Sequence, residues 1–400
     1  MVTLTDIEQA RSRIGDSVFY SPCARAEILS DLTGCEVFLK LENLQLTGSF
    51  KDRGALNKIL QLNERQKRVG VITASAGNHA QGVAHAARIS GIQATVVMPE
   101  TTPLAKIRGT REFGARIVLY GKGYDEAQQK ALELQAQHGY TFIHAFDDPD
   151  IIAGQGTIGL ELLEQVPDMD LVVVPVGGGG LIAGIATAIR GQRPEIRLVG
   201  VEAERMPAMK KSISAGRVLP QRTTNTLADG IAVARVGEQT LPIVRRQIST
   251  IVTVTEEEIA NAVMVLLERE KTLAEGAGAV GFAALYSGHL KEIRNRKVVV
   301  VISGGNIDMT MLSKILERGL EIDGRIARFK VVVPDKPGSI AELATLVAGH
   351  HANILHISQN RAVSEVELEE TEVELVLETR GQEQVTEIKG SIENQGFSVK

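Results

Sequence analysis

"LVVVPVGGGGLIAGIATAI", residues 171–189, decides how this chain of 400 residues is read. The stretch is long and uncharged enough to raise the question of a membrane span, but Pro175 and four consecutive glycines interrupt it, and a spanning helix tolerates neither well. Strand, turn and helix is the reading that fits. A buried strand then delivers Gly177, Gly178, Gly179 and Gly180 to the start of an apolar helix. Backbone N–H groups free of side chains converge there, where the helix dipole is positive, and make a cradle for a phosphate. Two glycines suffice for a turn; four in the corner of a βαβ unit point to an anion.

Outward from this stretch, short β-branched runs recur with helical segments between them: "EVFLKLE" from Glu36, "GVITAS" from Gly70, "ATVVMP" from Ala94, "RIVLYG" from Arg116, "TFIHAF" from Thr141, "RLVGVE" from Arg197 and "VVVVIS" from Val298. That rhythm predicts an α/β fold with largely parallel sheets, whose ligands bind at the carboxyl ends of strands. After about residue 320 the pattern changes. Residues 321–327 read as a hinge, and residues 328–400 give the order βαββαβ of a ferredoxin-like sandwich. Within it the acid-rich "SEVELEETEVE" from Ser364 is expected to be the solvated face and edge of a strand.

Length and composition predict a globular chain of two or three domains. The net charge is -5, with acids and bases interspersed, so there is no electrostatic footprint for nucleic acid or an anionic membrane, and a small molecule is the expected partner. The two cysteines, Cys23 and Cys35, match no metal or redox spacing, and the eight histidines form no helix pair of ligands. Charges run through "MVTLTDIEQARSRIGD" at the start, where an export signal would need an apolar core, so a cytoplasmic location is expected.

Two further strand ends carry chemistry. "GVITASAGNHAQG" presents Ser75, flexible backbone, Asn78 and His79 at the head of a helix, a nest suited to a carboxylate. "VVVVISGGN" ends in Ser303 beside two glycines. Gly178, Gly180 and Ala183 also satisfy GxGxxA with Glu202 ending the next strand, which keeps a nicotinamide dinucleotide and an oxidoreductase open. "GQGTIG" from Gly154 lacks a preceding strand and reads as helix punctuation. A lysine, a phosphate cradle and a carboxylate nest together describe a pocket for pyridoxal phosphate and an amino acid.

"SFKDRGA" from Ser49, "SAGNHAQG" from Ser75, "GGGGL" from Gly177 and "SGGN" from Ser303, in this order, resemble the fold-type II pyridoxal-phosphate enzymes (tryptophan synthase β-like), most closely the threonine deaminases. The resemblance covers residues 1–320 and implies two open α/β sheet domains, the smaller at about residues 52–150 inserted in the larger. It implies that Lys51 bonds covalently to pyridoxal phosphate, with Phe50 against the ring, Asn78 on its phenolic oxygen, Gly177, Gly178, Gly179, Gly180 and Leu181 around the phosphate, and Ser303 at the pyridine nitrogen. Ser75, Ala76, Gly77, Asn78 and His79 would surround the substrate carboxylate. A neutral serine at the ring nitrogen makes the ring a weaker electron sink, which favours prompt elimination over a long-lived carbanion.

The implied reaction is deamination of L-threonine to 2-oxobutanoate and ammonia, with L-serine as a secondary substrate. Serine dehydratase and serine racemase are the alternatives within the fold. Racemases of the family carry a second serine where this chain has Ala76, which has no proton to give. Some relatives hold a divalent metal after the strand ending near Glu202, but "AERMPAMKK" offers no second acid there, so no metal is assigned. The tail, with "PDKPGSIAEL" from Pro334, resembles an ACT domain, a module that pairs with another copy and binds a regulatory amino acid. Asp335, Lys336, Pro337, Gly338 and Asn353 are the implied effector site, for isoleucine or valine if the role is biosynthetic. A homodimer or homotetramer is expected. Outside enzymology, the alternative is an amino-acid sensor whose active part is the tail.

Overall fold

Runs rich in valine and isoleucine, flanked by helices, become strands buried on both faces, as a parallel sheet requires. In the computed structural model, which describes residues 1–290, 293–361 and 367–400, the chain forms two compact units, Met1–Asp308 and Met309–Lys400. Along the first unit the strands are β1 (Cys23–Arg25), β2 (Glu36–Leu41), β3 (Val71–Ala74), β4 (Ala94–Met98), β5 (Arg116–Leu119), β6 (Thr141–Phe142), β7 (Leu171–Pro175), β8 (Arg197–Ala203), β9 (Thr250–Val254) and β10 (Lys297–Ile302). They make a six-stranded sheet in the order β1-β2-β10-β7-β8-β9 and a four-stranded sheet in the order β5-β4-β3-β6. Every pairing is parallel except β1 with β2. The smaller sheet is one continuous segment lying, in sequence, between β2 and β7 of the larger.

Strands β1 and β9 are not among the predicted ones. The first is three residues long, and the second is a half-exposed edge without a continuous buried run. "TFIHAF" yields only the two residues of β6 because Nδ1 of His144 accepts from the N–H groups of Phe146 (3.2 Å) and Asp147 (2.9 Å), which turns the chain into a corner. "GQGTIG" lies inside the helix Pro149–Gln165. Its glycines allow close helix approach: a Cβ on Gly154 would come 2.6 Å from Gly54 Cα, and one on Gly184 would come 2.6 Å from the Gly156 nitrogen.

Beneath this packing lies a buried cluster of four charges. Arg53, in the helix Lys51–Leu60, donates to Glu42 from Nε and Nη2 (both 2.8 Å) and to Glu161 from Nη1 (2.5 Å). Lys40 of β2 donates to the other oxygen of Glu161 at 2.5 Å and to the Ser21 carbonyl at 2.7 Å. All four side chains are at most 7% exposed. The cluster ties the helix that begins at Lys51 to β2 and to the helix Pro149–Gln165.

The second unit contains β11 (Ile326–Pro334), β12 (Asn353–Asn360), β13 (Glu370–Glu378) and β14 (Ser398–Val399), with helices Ser339–Gly349 and Gln382–Asn394 between them. The antiparallel order β12-β13-β11-β14 gives the expected βαββαβ sandwich, closed over Phe329, Val331, Leu343, Leu375 and Ile388. Two expectations are corrected. Strand β13 is interior, not an edge, and Glu372 on it is buried with Lys330 at 3.4 Å and Lys400 at 3.9 Å; residues 364–366 of the acid-rich stretch lie outside the described residues. The division between units falls at Asp308 and not at 320, because the helix Met309–Ile322 belongs to the second unit, where Glu317 and Glu321 pair with Arg328. No helix among the described residues is long and apolar enough to cross a membrane.

Candidate active site

A cavity of about 1010 Å³ opens in the first unit at the carboxyl ends of the strands. Every residue singled out there from the sequence lines it: Phe50, Lys51, residues 75–79, residues 177–181 and Ser303. Strand β10 sets the position of the lysine. The Phe50 N–H donates to the Ser303 carbonyl at 3.1 Å, and Ser49 bridges to Gly304. The Lys51 amine then lies 5.0 Å over the Phe50 ring and donates to the Ala145 carbonyl at 2.9 Å. Burial pulls its pKa down to about 8, against the opposing pull of Glu275.

The head of the helix Asn78–Ile89 supplies the carboxylate nest. Ser75 Oγ accepts from the Gly77 N–H at 3.2 Å, and Gly77 caps the helix. His79 places its Nε2 3.0 Å from the Ile143 carbonyl, so the ring donates there. Burial, with Lys51 adding to it, holds that imidazole neutral at a pKa of about 3. The His79 ring therefore has its N–H committed, and the N–H groups of the first turn are what the helix head can offer an anion.

Asn78 is clamped at both ends. Its Nδ2 donates to Glu275 at 2.7 Å, and its Oδ1 accepts from Asn306 Nδ2 at 2.9 Å. Burial, with Asp229 adding to it, pushes Glu275 up to about 7. Asp229 is itself paired with Lys106 at 2.7 Å. Glu275 escapes the sequence reading, although one signal exists: it is the single acid before the wholly apolar helix Gly276–Tyr286.

The glycine loop is crowded on every side. A Cβ on Gly177 would lie 2.9 Å from Ile231 Cα, one on Gly179 would lie 2.6 Å from Met209 Cε, and one on Gly180 would lie 2.9 Å from the Phe146 carbonyl. A Cβ on Gly178 would come 2.3 Å from carbons of the Phe146 ring. Gly179 has φ +96°, which favours glycine. Thr240 Oγ1 donates to the Gly178 carbonyl at 2.6 Å, and the Gly237 N–H donates to the same carbonyl at 3.1 Å, fixing the loop that leads into the helix Gly180–Gln192. Such a cradle fits the phosphate of pyridoxal phosphate, with the Lys51 amine in the same cavity for its aldehyde. We expect Gly178→Ala to weaken cofactor retention by about 10- to 100-fold, the cost of overpacking a closed corner. Equilibrium dialysis checks this, and wild-type affinity would reject it.

The dinucleotide reading fails at Glu202. This buried carboxylate accepts from the N–H groups of Met209 (2.7 Å) and Lys210 (2.9 Å), capping the helix Ala208–Ala215 instead of facing a ribose. Among the described residues no cluster of three or more His, Cys, Asp or Glu side chains is placed to hold a metal ion.

In the second unit, Asp335 pairs with Arg361 at 2.8 Å and Gly338 caps the helix Ser339–Gly349 at φ +100°. Asn353 is not brought to that turn. It pairs with Glu378, which faces Ile326 at the start of β11, whereas Asp335 follows the far end of the same strand. Arg361 is the turn's partner that the sequence reading missed.

A partly neutral lysine, a glycine cradle and a carboxylate nest in one cavity define an enzyme that works on amino acids through a covalently held, phosphate-bearing aldehyde. The chain belongs to the pyridoxal-phosphate dependent enzymes, whose family profile matches residues 14–304, and it carries an ACT domain over residues 327–394. It is 47% identical over 400 residues to the L-threonine ammonia-lyase of Thermotoga maritima, covering 100% of this chain and 99% of that protein. Among solved structures it resembles the processed form of threonine deaminase isoform 2 from Solanum lycopersicum (42% identity, TM-score 0.76, 78% of this chain and 91% of that one). It also resembles maize serine racemase (34% identity, TM-score 0.76, 80% and 98%).

Proposed function

We propose that this protein is an L-threonine ammonia-lyase, converting L-threonine to 2-oxobutanoate and ammonia, with L-serine as a slower substrate. The observation that carries the reading is the half-buried Lys51 amine, in one cavity with a carboxylate nest and a glycine cradle; the full-length likeness to an L-threonine ammonia-lyase supports threonine as the substrate. Bound pyridoxal phosphate supplies the electron sink that makes the substrate Cα–H acidic. The N–H groups at the head of the helix Asn78–Ile89 hold the carboxylate. Lys51, neutral in a useful fraction because its pKa is about 8, takes the Cα proton as the β-hydroxyl leaves with the C–O electron pair, and that proton and the hydroxide together make the water released. The released enamine hydrolyses without a further protein group. Ala76 lines the cavity with no proton to offer a second face, which disfavours racemisation.

We also infer a cytoplasmic homodimer or homotetramer, and regulation by isoleucine or valine at the turn of residues 335–338. Release of 2-oxobutanoate by the purified holoenzyme tests the reaction. Turnover of threonine faster than serine is expected, and no oxo acid from either would reject it. Titration calorimetry with both effectors tests the tail; no heat and unchanged kinetics would remove the regulatory part.

The lowered lysine pKa has its own consequence. Only the unprotonated amine attacks an aldehyde, so capture of pyridoxal phosphate by the cofactor-free protein should quicken as pH rises, with a midpoint of about 8. Stopped-flow absorbance checks it. A midpoint near the ordinary lysine value of 10.5 would show that burial does not act on this amine.

A further inference from the structure

We propose that the Nε2–H of His144 is the hydrogen-bond donor that holds the substrate's β-hydroxyl as it leaves. Nδ1 of His144 accepts two backbone N–H groups, from Phe146 at 3.2 Å and Asp147 at 2.9 Å. An imidazole nitrogen that accepts carries no proton, so the ring is the neutral tautomer with its one hydrogen on Nε2. Protonating Nδ1 would cost both backbone bonds. Burial also disfavours the charged ring. His144 lines the cavity, and no hydrogen-bond partner for its Nε2 is found among the described residues. The other imidazole lining the cavity, His79, has already committed its Nε2 to the Ile143 carbonyl.

The position of the donor singles out the acceptor. Lys51 Nζ bonds the carbonyl of Ala145, the residue next to His144, and the substrate amine must take the place of that lysine amine. The carboxylate is answered by the head of the helix Asn78–Ile89. The remaining oxygen of threonine is the β-hydroxyl. As the C–O bond breaks its electron pair moves onto this oxygen, so a fixed N–H there strengthens in the transition state. The ring keeps its proton, so the role is a hydrogen bond to the reacting atom and not general acid catalysis; the proton that turns the departing hydroxide into water is the one Lys51 takes from Cα. The corner holds the ring rigidly: the Phe146 ring packs edge-on to His144 with centroids 4.8 Å apart, and Asp147 accepts from the N–H groups of Glu238 (3.0 Å) and Gln239 (2.9 Å).

This inference rests on the proposed elimination from threonine, and a change of leaving group separates the two. In His144→Asn, the amide oxygen can replace Nδ1 in the corner, but the Nε2–H is gone; in His144→Gln an amide N–H reaches the Nε2 position. With L-threonine we expect His144→Asn to lower kcat by about 10- to 100-fold, the cost of one lost hydrogen bond to a charged-up oxygen, with partial recovery in His144→Gln. With L-3-chloroalanine, whose chloride leaves without a donor, the Asn variant should stay within about threefold of wild type. Equal losses with both substrates, or no loss with threonine, would overturn the proposal. Wild-type protein that eliminates from chloroalanine but not from threonine would overturn the reading of the reaction instead. Retention of the bound cofactor's visible band in both variants confirms that the fold is intact.

Discussion

Lys51→Ala is expected to lower 2-oxobutanoate release from L-threonine by at least about 10³- to 10⁴-fold, because one amine serves as both the covalent anchor and the base. The fold should survive, since the amine's hydrogen bond is to the Ala145 carbonyl in an open cavity and its removal leaves no charge unpaired. Lys51→Arg should fail as badly, because a guanidinium stays protonated and cannot attack an aldehyde. Release of 2-oxobutanoate, measured with purified variants and added pyridoxal phosphate, is the test. Unaltered turnover in Lys51→Ala would reject this lysine as the anchor and the base.

Arg53→Met should destabilise the protein by about 3–5 kcal/mol, the usual cost of breaking a buried ion pair from one side. The loss strands Glu42, which is 0% exposed and would keep hydrogen bonds from Ser21 Oγ at 2.5 Å and Gln45 Nε2 at 3.2 Å, with the Lys40 charge nearby. In the wild type Glu42 is fully buried, and burial alone would raise its pKa; the Arg53 charge and hydrogen bonds outweigh that and hold it below the ordinary 4.5. A carboxyl with a depressed folded pKa contributes stability above its unfolded value and loses it as pH falls through the folded one. Without Arg53 the same carboxyl is more readily protonated in the fold. The gap between wild type and variant should therefore be widest at neutral pH and narrow as pH falls from the variant's folded pKa towards that of the wild type, which lies below 4.5. Urea unfolding at several pH values measures it; a gap independent of pH would mean that the carboxylate does not depend on Arg53.

What was legible in the sequence was what local patterning controls. Buried parallel strands are continuous β-branched runs, so β7 and β10 announce themselves, and four glycines before an apolar helix have few uses besides an anion. Asn78 and Ser303 stood out as polar groups at strand ends, but their particular roles, and that of Lys51, were legible only because their flanking motifs resemble those of known enzymes. Sheet order was not legible: nothing in "VVVVIS" says that it lies between β2 and β7. The same holds for the interior place of β13, whose charged residues suggest an edge although Glu372 among them is met by Lys330 and Lys400. Glu275 and the His144 corner act through partners far away in the chain, Asn78 and the 237–239 segment among them, and no window of sequence contains both ends of such contacts.

The central place of β10 also bears on how the molecule is made. This strand, residues 297–302, joins β2 to β7, and its last residues bring Ser303 and the bridge from Ser49 to Gly304. While the ribosome is still synthesising the segment before it, β2 and β7 have no partner between them, and the floor beneath Lys51 does not exist. Pairing across such sequence distances is slow and leaves strand edges open to other chains. A nascent polypeptide that stops short of β10 is thus an aggregation-prone intermediate unable to capture its cofactor, and the catalytic pocket is completed only near the end of translation of the first unit.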